Sequence, residues 1–187
     1  MRKTVLSLAV VSFVLLAMFQ LQAATLAGVT MPDTAQVGGK NLVLNGLGLR
    51  TKMMVKVYVA GLYLEQKSSD PNAIMKSDTP WRIVMHFVYH PSKSQMADAF
   101  NDGFKDNSPD AVKTMKPDID KLNAALEDLK AGDEMVFTYV PGTGTNLTIN
   151  GKDKLTIAGQ PFAQALLSVW LGPTPPTADL KKGLLGQ

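Results

Sequence analysis

The chain has no cysteine. That excludes disulfides, thiolate nucleophiles, thiolate-held metal centres and attachment of a lipid through an N-terminal cysteine. Histidine is almost as scarce, with only His86 and His90. Four residues apart on a strand, they are about 13 Å apart at ~3.3 Å per residue, too far to share a metal ion. No metal site and no cofactor is expected. The glycines of Gly46-x-Gly48 lack the third glycine and the following helix of a dinucleotide site. Asp98 and Asp102 are one helical turn apart, as many solvated pairs are, and no hydroxyl sits in a recognisable pattern with a base, so no catalytic residue is assigned.

Long apolar runs are confined to the N-terminus. Arg2 and Lys3 precede Val5 to Phe19, which is apolar apart from Ser7 and Ser12, and Leu21-Gln22-Ala23 then supplies a small residue for cleavage. This is the pattern of a secretory signal peptide, and the run is shorter than the ~20 residues of a spanning helix. The expected division is a signal peptide over residues 1–23 and one folded domain over 24–187. The product is expected outside the cytoplasm, in the periplasm, without a stable membrane anchor. Removing Arg2 and Lys3 from the 19 basic residues leaves 17 against 16 acidic ones. A net charge near +1, scattered and without aromatic interleaving, gives no basis for a nucleic-acid partner.

The stretch Asn41 to Glu65 organises the rest. It reads as two strands with a glycine-marked irregularity between them. From Lys52 the residues alternate, with Met53, Val55, Val57 and Val59 on one face and Lys56, Tyr58, Ala60 and Leu62 on the other. A short edge strand is expected within Thr25 to Gly38, a helix after Asp70-Pro71, and a strand over Trp81 to Tyr89. Ser92 and Gln95 form a capping box for a helix with Met96, Phe100 and Phe104 on one stripe. A loop over 107–116 leads to a helix with Ile119, Leu122, Leu126 and Leu129 inward, ending at Gly132. Strands at 134–140, 145–149 and 154–158 follow, the last two joined by Asn150-Gly151. A helix over Gln160 to Leu171 has little polar surface and should be buried on most sides. Thr177 caps a last helix. Antiparallel strands with helices inserted between them predict an α+β fold, helices layered on one sheet.

Arg50 follows Gly46-Leu47-Gly48-Leu49, where glycine within a strand marks a bulge or a close backbone approach. Two readings stay open. Arginines are mostly exposed, and a reversal at Thr51-Lys52 would leave Arg50 at a hairpin tip, away from Tyr58. Otherwise its guanidinium fork, beside a tyrosine hydroxyl and apolar side chains, suits an anionic head group with an apolar body.

Gly46-Leu47-Gly48-Leu49-Arg50 followed by Lys56-Val57-Tyr58-Val59-Ala60-Gly61-Leu62-Tyr63-Leu64, the Ser92 helix, Ser168-Val169-Trp170-Leu171-Gly172 and Leu184-Leu185-Gly186 resemble the chalcone isomerase-like family in its exported bacterial branch. The resemblance spans nearly all of residues 24–187. It implies a large antiparallel sheet packed against a layer of helices, with a ligand cleft between them. The plant enzymes close a chalcone to a flavanone with an Arg in a motif like that ending at Arg50, a strand Thr, a Tyr and an Asn on a helix, and a Ser or Thr near the C-terminal helix. Here Tyr58 stands in place of the Thr, Ser94 in place of the Tyr, Asn101 matches the Asn, and Ser168 or Val169 occupies the last site. Non-catalytic members hold a fatty-acid carboxylate with an Arg and a Tyr, to which Arg50 and Tyr58 are similar. The expected function is binding of a fatty acid or similar small amphipathic anion, without flavonoid cyclisation. Arg50 and Tyr58 would take the head group, and Leu62, Met96, Phe100, Leu166 and Trp170 the tail, with Asn101 and Ser168 further candidates. The alternatives are an intramolecular lyase or isomerase on another substrate, with Arg50 facing a developing oxyanion, and a structural protein with a filled, vestigial cleft.

Overall fold

The computed structural model describes residues 23–187. Seven strands form one sheet in chain order, every neighbouring pair antiparallel: β3 (Thr34–Val37), β4 (Lys40–Lys52), β5 (Val55–Leu64), β6 (Trp81–Phe87), β7 (Glu134–Val140), β8 (Gly144–Ile149) and β9 (Lys152–Ile157). A separate hairpin of β1 (Ala23–Leu26) and β2 (Val29–Pro32) precedes it. The expected signal peptide lies on residues 1–22, outside the described residues, and on Ala23, the first residue of β1.

The helices are inserted between strands or follow them: α1 (Pro71–Lys76), α2 (Lys93–Asn107), α3 (Pro109–Thr114), α4 (Lys116–Ala125), α5 (Gln160–Leu171) and α6 (Ala178–Leu184). Three of them start where side chains supply caps, and α3, α4 and α5 start at a proline in the first turn instead. Asp70 accepts from the N–H groups of Asn72 and Ala73 at the start of α1. Ser92 and Gln95 form the complete capping box of α2, and Thr177 caps α6. No helix among the described residues is long and apolar enough to cross a membrane.

Alternation along β5 splits the molecule into two cores. Tyr58, Ala60, Leu62 and Leu64 pack under the helices, against Met96, Phe100 and Phe104 of α2 and the buried length of α5. On the opposite face Val59 packs with Val29 and Met31 of the β1–β2 hairpin, while Tyr63 packs with Val37, Leu42 and Leu44. Nearly every residue of α5 between Phe162 and Leu171 is buried, as its lack of a polar face requires.

Four features depart from the sequence reading. The alternation does not begin at Met53: Met53 and Met54 are the exposed two-residue turn joining β4 to β5, both at positive φ. The glycines do not separate two strands, because β4 runs unbroken through Gly46 and Gly48. The stretch 107–116 is not a loop, since Pro109 opens α3 after the chain leaves α2. Finally, α4 ends at Ala125 rather than Gly132. Leu126 and Leu129 remain buried, but their segment is extended and pinned against the start of α2, with Leu129 N–H donating to the Pro91 carbonyl at 3.0 Å and Lys93 N–H to Asp128 at 2.7 Å. Helical spacing of leucines cannot distinguish that arrangement from one more helical turn.

Candidate functional site

Two irregularities in the β4–β5 ladder shape the site. Leu44 pairs with Tyr63 and Gly46 with Leu62, so Asn45 is an extra residue on β4. Arg50 pairs with Tyr58 and Thr51 with Lys56, so Val57 is an extra residue on β5. Bulges of this kind re-aim side chains and recur beside functional sites. The second puts Val57 on the helix-side core together with its neighbour Tyr58 and places Arg50 directly across from Tyr58. Arg50 is therefore not the hairpin tip, which lies at Met53-Met54.

The glycines before Arg50 are explained by α6. A Cβ at Gly46 would collide with the Gly183 carbonyl oxygen, one at Gly48 with that of Leu180, and one at Gly183 with that of Leu47. Strand and helix thus touch backbone to backbone, which only glycine permits. Asn45 locks the contact. Its buried amide donates to the carbonyls of Ser68 (2.9 Å) and Leu184 (2.7 Å), and its oxygen accepts from the Ser68 N–H (2.8 Å).

With α6 held there, the segment before it reaches the Arg50 side chain. Arg50 Nη1 donates to the Pro176 carbonyl at 2.8 Å and to the carbonyl of Thr51. These contacts fix the guanidinium without neutralising it, for Arg50 makes no ion pair among the described residues. Across the ladder the Tyr58 oxygen accepts from Trp170 Nε1 at 3.1 Å. That bond uses the indole's only donor and leaves the phenol's proton unspent among the described residues. Burial pushes the Tyr58 pKa up to about 12, outweighing the opposing Trp170 hydrogen bond and Arg50 charge. Tyr58 is consequently a fixed O–H donor at neutral pH and no base.

Both residues open onto a cleft of about 330 Å³ between the sheet and α2. The volume is at the small end of the roughly 300–1,000 Å³ typical of ligand pockets. Its apolar lining includes Val57, Met85, Met96, Phe100, Val169 and Trp170. Phe100 and Trp170 meet edge to face at 5.9 Å, so the floor is a rigid aromatic surface. Lys52 stands beside Arg50 on the strand wall, and Asp98, Asp102 and Asp106 stand on the helix wall. The cleft is thus charged with opposite signs on its two sides.

Of the residues singled out in the sequence, the structure brings Arg50, Tyr58, Met96, Phe100 and Trp170 together around this cleft. It places the others elsewhere. Leu62 and Leu166 are wholly buried in the core and do not line it. Asn101 is on the exposed side of α2, where its oxygen accepts from Asn123 at 2.9 Å. Ser168 shares a hydrogen bond with Ser108 at 2.9 Å and donates to the Ala165 carbonyl at 2.7 Å. The sequence reading missed Tyr89, Pro175-Pro176 and Asp106, and set aside Asp98 and Asp102 as a solvated pair. The four-residue spacing of Asp98, Asp102 and Asp106 was the available signal, since it puts all three on one helix face.

A meander sheet with helices on one face, an arginine after two glycines on its second strand and a cleft between the layers define a recognisable class. The family model described as chalcone isomerase-like matches residues 23–186. The chain belongs to the chalcone isomerase-like family. Among solved structures it is similar to the crystal structure of the Arabidopsis thaliana fatty-acid binding protein AtFAP1. The two share 13% sequence identity at a TM-score of 0.70, over 88% of this chain and 96% of that one. At that identity the likeness is one of fold. No curated protein sequence matches the chain.

Proposed function

We propose that the protein is an exported, periplasmic binding protein that holds a fatty acid or similar amphipathic carboxylate in the sheet–helix cleft, without cyclising flavonoids. One observation carries the binding reading. An unpaired guanidinium and a phenol with an unspent proton face each other across one strand pair, at the edge of an apolar cleft. The fork of Arg50 matches a carboxylate, the Tyr58 O–H adds a hydrogen bond to the anion, and Met96, Phe100 and Trp170 receive the chain. The size of the cleft suits one short amphipathic molecule or the head and first part of a longer one. The solved fatty-acid binding relative of the same fold supports this class of ligand. Export is supported by the basic, apolar and small-residue sequence of residues 1–23.

An open cleft argues against a filled, vestigial one. The isomerase alternative retains Arg50 for an oxyanion, but Tyr58, with a pKa of about 12, offers no base to start the reaction. The deciding experiment is calorimetric titration of the processed protein with a medium-chain fatty acid, alongside native mass spectrometry for co-purified lipid. Heat and a bound lipid are expected. Absence of both would end the proposal.

A further inference from the structure

The β4–β5 turn is built from the wrong residues for a turn. Both of its central positions have positive φ, 49° at Met53 and 67° at Met54. Three other two-residue turns among the described residues share this geometry, and all place glycine second: Ala27-Gly28, Gly38-Gly39 and Asn150-Gly151. Glycine or asparagine adopts this conformation readily, whereas a methionine is strained in it. Nothing in the fold repays that strain. Met53 is 90% and Met54 97% exposed, so neither side chain packs on the protein. Two more exposed apolar residues stand at the same end of the sheet, Val55 at 44% and Tyr89 at 43%, the latter just past the end of β6.

Charge says what this patch meets. Lys52 and Lys56 flank the turn, both exposed, and no ion pair holds either among the described residues. Two unbranched apolar side chains at the apex, a tyrosine at the base and lysines on either side form the layered pattern of an interfacial anchor. Apolar groups enter the acyl boundary, and the amphipathic side chains stay at head-group level. Asp98, Asp102 and Asp106 on α2 oppose an approach led by the helix wall, and a tip-first approach leads instead with Lys52 and Lys56.

We infer that the β4–β5 turn docks the protein tip-first onto an anionic phospholipid bilayer, bringing the mouth of the cleft to the membrane. The docking stands on the exposure and charge of the turn. Its use, exchange of an amphipathic ligand between bilayer and cleft, rests on the proposed function above.

The absence of cysteine makes the test local to the turn. Met54→Cys carries an environment-sensitive fluorophore, and Thr143→Cys, in the β7–β8 turn at the opposite end of the sheet, carries the same dye as a control. With vesicles of equal parts phosphatidylglycerol and phosphatidylcholine, the position 54 label is expected to shift to the blue and brighten while the position 143 label stays unchanged. Met53→Asn with Met54→Gly installs the turn's preferred residues, so it keeps the fold, and should weaken vesicle binding of the unlabelled protein about tenfold or more. Lys52→Gln with Lys56→Gln should weaken it about thirtyfold on acidic vesicles and little on pure phosphatidylcholine. No response at position 54, an equal response at both labels, or undiminished binding by the Asn-Gly variant would overturn the inference. Fatty-acid titration without vesicles separates the two readings. The Asn-Gly variant should bind as the wild type does, and a failure of wild-type titration with a positive position 54 shift would remove the cleft reading and leave the docking intact.

Discussion

Trp170 and Tyr58 are joined across the layers of the fold by a single hydrogen bond, the indole N–H donating to the phenol oxygen at 3.1 Å. The direction of that bond makes Tyr58 a donor towards the cleft. Tyr58→Phe removes the donor and also orphans the buried indole N–H. It should weaken fatty-acid binding by about 1.5–3 kcal/mol, the worth of a hydrogen bond to a charged group, and cost about 1–3 kcal/mol of stability. Paired titrations and thermal melts resolve the two effects. Unchanged affinity would mean that the unspent proton has no role in binding.

Arg50 carries the charge. Arg50→Ala should lower affinity for a carboxylate by about 2–5 kcal/mol, or roughly 30- to several-thousand-fold. Arg50→Lys should recover only part, because an ammonium has no fork. Isothermal titration of both variants checks this, and tight binding by Arg50→Ala would return Arg50 to a purely structural part, bracing the Pro176 carbonyl.

The tyrosines predict an alkaline limit. Burial is the main reason that Tyr58, Tyr63 and Tyr139 are each raised to about 12 from 10, with Glu134 adding to it at Tyr63 and Asp78 at Tyr139. A pKa raised on folding means that the folded state holds the proton more tightly. Stability from this source is complete below about pH 10 and is lost as pH rises from 10 to 12. For Tyr58 the shift corresponds to a few kcal/mol at most, at roughly 1.4 kcal/mol per pKa unit. Denaturant midpoints measured between pH 8 and 12 should fall above 10, less steeply in Tyr58→Phe. A flat profile would contradict the burial of these phenols.

Gly48→Ala tests the backbone contact between β4 and α6. The added methyl meets the Leu180 carbonyl, and overpacking of this sort costs typically 1–3 kcal/mol and occasionally more. Amide exchange should accelerate first over 178–184. A variant as stable as wild type, with α6 still protected, would show that the helix can slide. Met54→Gly should do the reverse, raising the melting temperature by several degrees as the positive-φ strain, about 1–2 kcal/mol, is relieved.

Cyclisation of naringenin chalcone should not exceed the spontaneous rate by more than a trace. A thousandfold enhancement, about 4 kcal/mol of barrier, would show that Arg50 and groups outside the flavonoid set suffice for the chemistry.

Much of this architecture is legible in the sequence because its signals are local. The Ser92–Gln95 box, Pro161 at the head of α5 and Asn150-Gly151 each state their own geometry. Met53-Met54 was missed because its turn contradicts turn chemistry. The purpose of Gly46 and Gly48 was missed in part: a close approach was readable, but the partner is a helix more than a hundred residues further on. The site divides in the same way. Arg50, Tyr58, Met96, Phe100 and Trp170 carry recognisable chemistry, whereas Pro176 contributes only a carbonyl oxygen, which no sequence pattern displays.

The tie from Arg50 to the Pro176 carbonyl sets when the cleft comes into being. One wall is specified in the first third of the chain and its brace in the last tenth, after five strands and five helices have intervened. Such a long loop must close before the contact returns any free energy. A chain still emerging from the ribosome, or shortened before residue 176, therefore lacks the braced Arg50 wall however much of its sheet has formed. Competence to hold a ligand is one of the last properties the molecule acquires.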